Sequence, residues 1–124
     1  MARILVIEDE TDIRGLYKRF LEQAGHEVME APDGEEGVRL YRKTAADLVI
    51  TDIIMPEKEG IETIMELRKD FPEVKIIAIS GGGKAMPSST CLSLAKGLGA
   101  TKTLAKPFKR QELLDAVAEV LGLR

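Results

Sequence analysis

The chain carries one cysteine and one histidine in 124 residues, Cys91 and His26. A lone cysteine cannot close an internal disulfide, and one thiol with one imidazole cannot complete a zinc site. Basic residues are not in excess either: 18 Lys and Arg stand against 21 Asp and Glu along the chain, for a net charge of −3. A nucleic-acid or membrane-surface binder would show a basic face, so direct contact with either is not expected. Long hydrophobic runs are missing too. The first apolar stretch, Ile4 to Ile7, is bracketed by Arg3 and Glu8 and is too short for a secretory signal. No run approaches the length of a bilayer span. Together these absences predict a cytoplasmic protein. With no internal repeat and no low-complexity linker, residues 1–124 are expected to form a single domain with no effector domain. At this length roughly two thirds of the unfolded surface can be buried, enough to fold without disulfides or a structural metal.

What is present is an alternation of short apolar runs with amphipathic segments. Ile4-Leu5-Val6-Ile7 is apolar without alternation, the pattern of a strand covered on both faces. Ile13, Leu16, Tyr17, Phe20, Leu21 and Ala24 then recur at helical spacing, and Gly25 stands where a helix would end. Val28-Met29 centres a second strand, and Pro32-Asp33-Gly34 turns the chain into a helix over 34–43. Leu48-Val49-Ile50 is the third strand. Ile61, Ile64, Met65 and Arg68 stripe the next helix, which Phe71-Pro72 terminates. Val74 to Ile79 is the fourth strand, followed by a soft Gly81-Gly82-Gly83 loop. A helix bearing Cys91, Leu92, Leu94, Ala95 and Leu98 comes next. Thr101 to Ala105 and the stripe Leu113, Leu114, Val117, Val120, Leu121 complete a (βα)5 order. Such an order implies a doubly wound, five-stranded parallel sheet whose ligands bind beyond the carboxyl ends of its strands.

Those ends carry the polar groups. The first strand is followed by Glu8-Asp9; the third ends in Asp52, the fourth in Ser80, and the fifth runs into Lys106. Two carboxylates about 4 Å apart repel by roughly 4 kcal/mol at an effective dielectric near 20, so three converging acids call for a cation. An all-oxygen set with room for water suits Mg²⁺ better than zinc or copper, and leaves positions open for phosphoryl oxygens. An ammonium and a hydroxyl would stabilise the remaining charge on a transferring phosphoryl group. Asp52 is then the natural nucleophile, because carboxylates form acyl phosphates. Each group has a plainer alternative: Glu8-Asp9 as a solvated loop with Thr11 or Asp12 as N-cap, Asp52 as a turn residue, Lys106 as a surface lysine. His26 reads as a surface residue and Cys91 as core packing. The triple glycine lacks the lysine and Ser/Thr spacing of a phosphate-binding loop.

Taken jointly, IEDE at the first strand, DLVITDIIMP around Asp52, AIS at the fourth and LAKPF at the fifth resemble the receiver domain of two-component response regulators, from Arg3 to Leu121. The resemblance implies a flavodoxin-like strand order 2-1-3-4-5. It also implies that Asp52 is the phosphoacceptor, that Asp9 and Asp52 ligate Mg²⁺ directly, and that Glu8 binds it through water. The backbone carbonyl of Ile54 would be a further ligand, and Ser80 and Lys106 would each hold a phosphoryl oxygen. The implied partners are a sensor histidine kinase or phosphotransfer protein upstream and another protein downstream. Such a domain is a switch rather than an enzyme, though it takes part in its own phosphorylation and hydrolysis.

Two features depart from the family pattern. The switch positions are Ser80 and the residue three before the lysine, which is Thr103 here and lacks the aromatic ring that usually couples the site to the surface of the fourth helix. The interval from Ser80 to Lys106 is also longer than usual, with the excess in the glycine-rich loop. Ile54 and Gly82 would flank the path of an in-line water. Two other readings stay open: a small Mg²⁺-dependent aspartyl-phosphate hydrolase, and a binding module that keeps the fold without phosphorylation. The first lacks a D-x-D motif, since Ile53-Ile54 follows Asp52.

Overall fold

The computed structural model describes residues 2–53, 60–80, 97 and 99–122. The expected positions Ile54, Gly81 to Gly83 and Cys91, with the helix carrying it, lie outside those residues. Five strands form one parallel sheet in the order β2-β1-β3-β4-β5, as the sequence implied. They are β1 (Arg3–Ile7), β2 (Glu27–Ala31), β3 (Leu48–Asp52), β4 (Ile76–Ser80) and β5 (Lys102–Ala105). Four helices are described: α1 (Thr11–Gln23), α2 (Gly34–Lys43), α3 (Gly60–Asp70) and α4 (Arg110–Leu121). No helix among the described residues is long and apolar enough to cross a membrane.

The unbroken apolar runs are explained by cover on both faces. Leu5, Ile7, Val49, Ile76 and Ala78 pack with Val38 and Tyr41 of α2 and Ile64 and Leu67 of α3. Ile4, Val6, Leu48, Ile50, Ile77 and Ile79 point the other way, onto Tyr17 and Leu21 of α1 and Leu113, Ala116 and Val117 of α4. Alternate residues of one strand therefore serve opposite layers, and a parallel sheet with both faces covered has no polar side to show.

Helix ends follow local chemistry. Asp33 caps α2 through a 2.8 Å bond that its carboxylate accepts from the Glu36 N–H. Gly25, at φ 92°, ends α1 with paired bonds from the N–H of Gly25 to Glu22 and of His26 to Leu21. That is a Schellman closure, whose left-handed residue is ordinarily glycine. Three expectations need correction. The N-cap of α1 is Glu10, which makes no side-chain cap bond, rather than Thr11 or Asp12; both lie inside the helix because the Glu8-Asp9 turn is tighter than an acidic loop. Leu16 and Met65, assigned to apolar stripes, are 40% and 51% exposed, while Leu67 takes the buried place on α3. His26 is half-buried rather than on the surface, and its Nδ1 accepts the Ala2 N–H at 3.2 Å. Ala2 leads into β1 and His26 into β2, so this bond ties together the entries to two paired strands.

Candidate functional site

The parity of the strands brings the polar ends together. Ile4 and Val6 of β1 face α1 and α4, and so do Leu48 and Ile50 of β3 and Leu104 of β5. Two residues further on in each strand come Glu8, Asp52 and Lys106. Ile7 is level with Thr51 in the β1–β3 register, which sets Glu8 beside Asp52. Ser80 pairs with Ala105, one residue before the lysine. Lys106 Nζ donates to Asp52 Oδ2 at 2.9 Å and lies 3.6 Å from Glu8 Oε1. Glu8, Asp52 and Lys106 thus form one cluster at the carboxyl edge, with Ser80 at the end of the neighbouring strand. Asp9 follows Glu8 and is exposed. Thr103 is half-buried, level with Ala78 in the β4–β5 register.

Both carboxylates of the cluster are buried. Glu8 is only 2% exposed and Asp52 9%. Desolvation pushes the Glu8 carboxyl up to about 7, helped by a hydrogen bond with Asp9 and the charge of Asp52; the Glu10 N–H and Lys106 pull it back. Burial by itself would lower Lys106, but its hydrogen bond to Asp52 and that residue's charge outweigh the cost, so its net direction is upward. Tyr17 lies beneath the site, stacked on Phe108 with ring centroids 5.7 Å apart, and burial raises its hydroxyl to about 12.

The donor set can be tested against the cation it implies. Glu8 Oε2 accepts the Glu10 N–H at 3.0 Å, whereas Oε1 is buried with no hydrogen-bond partner. That oxygen has Lys106 Nζ at 3.6 Å but no hydrogen bond, a shortfall that a hydrated cation would recover. The nearby donors are all oxygens, as a hard, partly hydrated ion requires. Among the described residues no three acidic, histidine or cysteine side chains already form a closed metal cage. By their chemistry the acids present fit a hard, oxygen-binding ion such as Mg²⁺.

Two residues of this neighbourhood carry more than the sequence suggested. Gly60, expected only as loop punctuation, opens α3 directly against β3: its N–H donates to the Ile53 carbonyl at 2.5 Å, and a Cβ there would stand 1.8 Å from the Asp52 carbonyl oxygen. Arg14, unremarked in the sequence, donates through Nη1 to the Glu8 carbonyl at 2.7 Å. One signal was available for it. A long cation early in a helix runs against the helix dipole, which favours acids there.

The model of the response regulator receiver domain matches residues 4–118. Protein CcdB of Bacillus subtilis is 36% identical over 123 residues, covering 98% of this chain and 99% of its own. Chemotaxis protein CheY of Thermotoga maritima is 35% identical over 119 residues, covering 95% and 96%. A response regulator receiver domain protein from Clostridium thermocellum superposes with a TM-score of 0.89 at 34% identity, over 98% of this chain and 95% of that one.

Proposed function

The chain belongs to the response regulator receiver family, and we propose that its Asp52 accepts a phosphoryl group from a phosphohistidine of a sensor kinase or phosphotransfer protein. Receiver domains are signalling switches rather than turnover enzymes. The observation that carries the reading is the 2.9 Å contact of Lys106 Nζ with Asp52 Oδ2 in a largely buried acidic cluster.

In this reading an Asp52 carboxylate oxygen attacks phosphorus, the P–N bond to the donor imidazole breaks, and an acyl phosphate forms while the imidazole regains a proton. Lys106 already touches the attacking carboxylate, so a short shift of its flexible stem takes the ammonium to a phosphoryl oxygen. Ser80, at the end of β4, would offer its hydroxyl to a second one. Asp9 and Asp52 would hold Mg²⁺ directly and Glu8 through a water, with the Ile54 carbonyl, outside the described residues, as a further ligand. When bound, the ion offsets negative charge on acids and phosphoryl oxygens. Burial of Glu8 and Asp52 keeps the local dielectric low, which strengthens each of these contacts. The product is a mark read by a downstream protein in the cytoplasm.

Mass spectrometry after incubation with acetyl phosphate and Mg²⁺ tests the reading. One added phosphoryl mass is expected on the wild type and none on Asp52→Asn. Undiminished labelling of the variant would move the acceptor elsewhere. A wild type that never labels would favour a phosphorylation-independent module, the reading that Thr103 at the usual aromatic position supports.

A further inference from the structure

The Glu8-Asp9 turn is held by bonds to β2, to α1 and within itself. The Glu8 N–H donates to the Ala31 carbonyl at 3.0 Å, continuing the β1–β2 ladder past Ile7. The Glu10 N–H donates to Glu8 Oε2, and the Arg14 N–H to the Glu10 carbonyl at 2.9 Å. The peptide joining the two acids is held by Arg14, whose Nη1 reaches the Glu8 carbonyl at 2.7 Å. On its other side Arg14 Nε lies 3.4 Å from Glu30 Oε1 in β2, and Lys18 Nζ lies 3.4 Å from Glu30 Oε2. The guanidinium therefore bridges the sheet and the turn. Nη1 makes the hydrogen bond to the turn while Nε, buried without a hydrogen bond, meets Glu30 by charge alone, two directions that a single ammonium cannot serve together.

The cost of this arrangement says what it is for. Arg14 is largely buried, and it sits early in α1, where the helix dipole disfavours a cation. Its charge is paired with Glu30 rather than with the carboxylates of Glu8 or Asp9. What Arg14 contributes to the site is direction. The Glu8–Asp9 peptide plane sets where the Asp9 Cα, and with it the Asp9 carboxylate, is aimed.

We propose that Arg14 is a positioning residue for the cation site, fixing the Glu8–Asp9 peptide so that Asp9 is preset for the metal; this rests on the metal-site reading given above. The sign of one measurement separates this role from simple electrostatics. Removing a positive charge beside an acidic site should tighten Mg²⁺ binding on Coulombic grounds. Removing a positioning group should weaken it, by about tenfold or more where outer-shell partners orient a ligand. Mg²⁺ titrated calorimetrically into the full chain should therefore bind Arg14→Met at least about tenfold more weakly than wild type. Affinity in Arg14→Met equal to or tighter than wild type overturns the proposal. Should that variant fail to fold, Arg14→Lys keeps the charge but loses the fork; it should lose about threefold or more, and wild-type affinity in it is equally fatal. Wild-type protein that takes up no Mg²⁺ at all removes the cation site and the proposal with it. Wild-type uptake with an unaffected Arg14 variant removes the proposal alone.

Discussion

Lys106 Nζ and Asp52 Oδ2 lie 2.9 Å apart across 54 positions of sequence. Nothing local joins them; each is delivered by its own strand, β5 and β3, with β4 between. The ammonium stands beside the carboxylate before any phosphoryl group arrives, so its contribution to charge stabilisation is organised in advance.

Lys106→Met should keep the fold, since its stem is only half-buried, and should slow labelling of Asp52 by acetyl phosphate about 100-fold, the usual scale for removing one preorganised donor. Time-resolved mass spectrometry reads the rate. A loss under about threefold would mean that Lys106 only neutralises the resting acids.

Glu8 makes metal-free stability depend on pH. Its folded value is about 7 against an ordinary 4.5, chiefly because it is buried. Below pH 4.5 the group is protonated folded or unfolded and costs nothing. As pH rises the unfolded chain releases the proton first, so stability falls, and the loss is complete above about pH 7. Its size is about 3.5 kcal/mol at most, from about 1.4 kcal/mol per pH unit. Urea denaturation in chelator at pH 5 and pH 8 should show the decline in wild type and a flatter profile in Glu8→Gln. Matching profiles would place the dependence elsewhere.

Cation affinity should depend more on Asp9 than on Glu8, because a direct ligand outweighs one acting through water. Calorimetric titration of Mg²⁺ should find Asp9→Ala weakened more than Glu8→Ala. The reverse order would exchange their roles.

Gly60→Ala should destabilise by about 3 kcal/mol, at the upper end of the usual range for overpacking, because the new methyl group meets backbone that cannot rotate away. The urea midpoint measures it. The same change should also slow Asp52 labelling, since relief requires moving the Asp52–Ile53 backbone. Unchanged stability would show that α3 can back away from β3 freely.

Ile54 bears on the lifetime of the mark. It is apolar, two positions beyond Asp52, and offers nothing to orient an attacking water. Ile54→Asn, with an amide able to hold that water, should lose its phosphoryl group faster than wild type. Equal decay curves would exclude side-chain control at this position.

The amino-acid sequence by itself determined the order of elements and the class of sheet. Doubly apolar runs such as Ile4–Ile7 and Leu48–Ile50 demand cover on both faces, and the intervening stripes supply it. Local chemistry was equally legible in the Asp33 cap and the Gly25 closure, because each acts within one turn of chain. The identities of the groups at the strand ends were also on view. What only the tertiary structure decided is which of those groups meet and how deeply they are buried. Glu8 and Asp9 are adjacent and chemically alike, yet Glu8 is sealed at the sheet edge level with Asp52 while Asp9, one residue further into the turn, is exposed. Leu16 and Met65 fit their helical stripes in spacing but not in packing, since a stripe shows that a helix has an apolar side without showing how wide its neighbour is. Gly60 and Arg14 acquire their roles from backbone a few residues back, at Asp52–Ile53 and at Glu8, but those contacts exist only once the chain has turned back on itself. Register, burial and the reach of a side chain across a sheet are relations between distant segments, and they exist only once the chain has closed on itself.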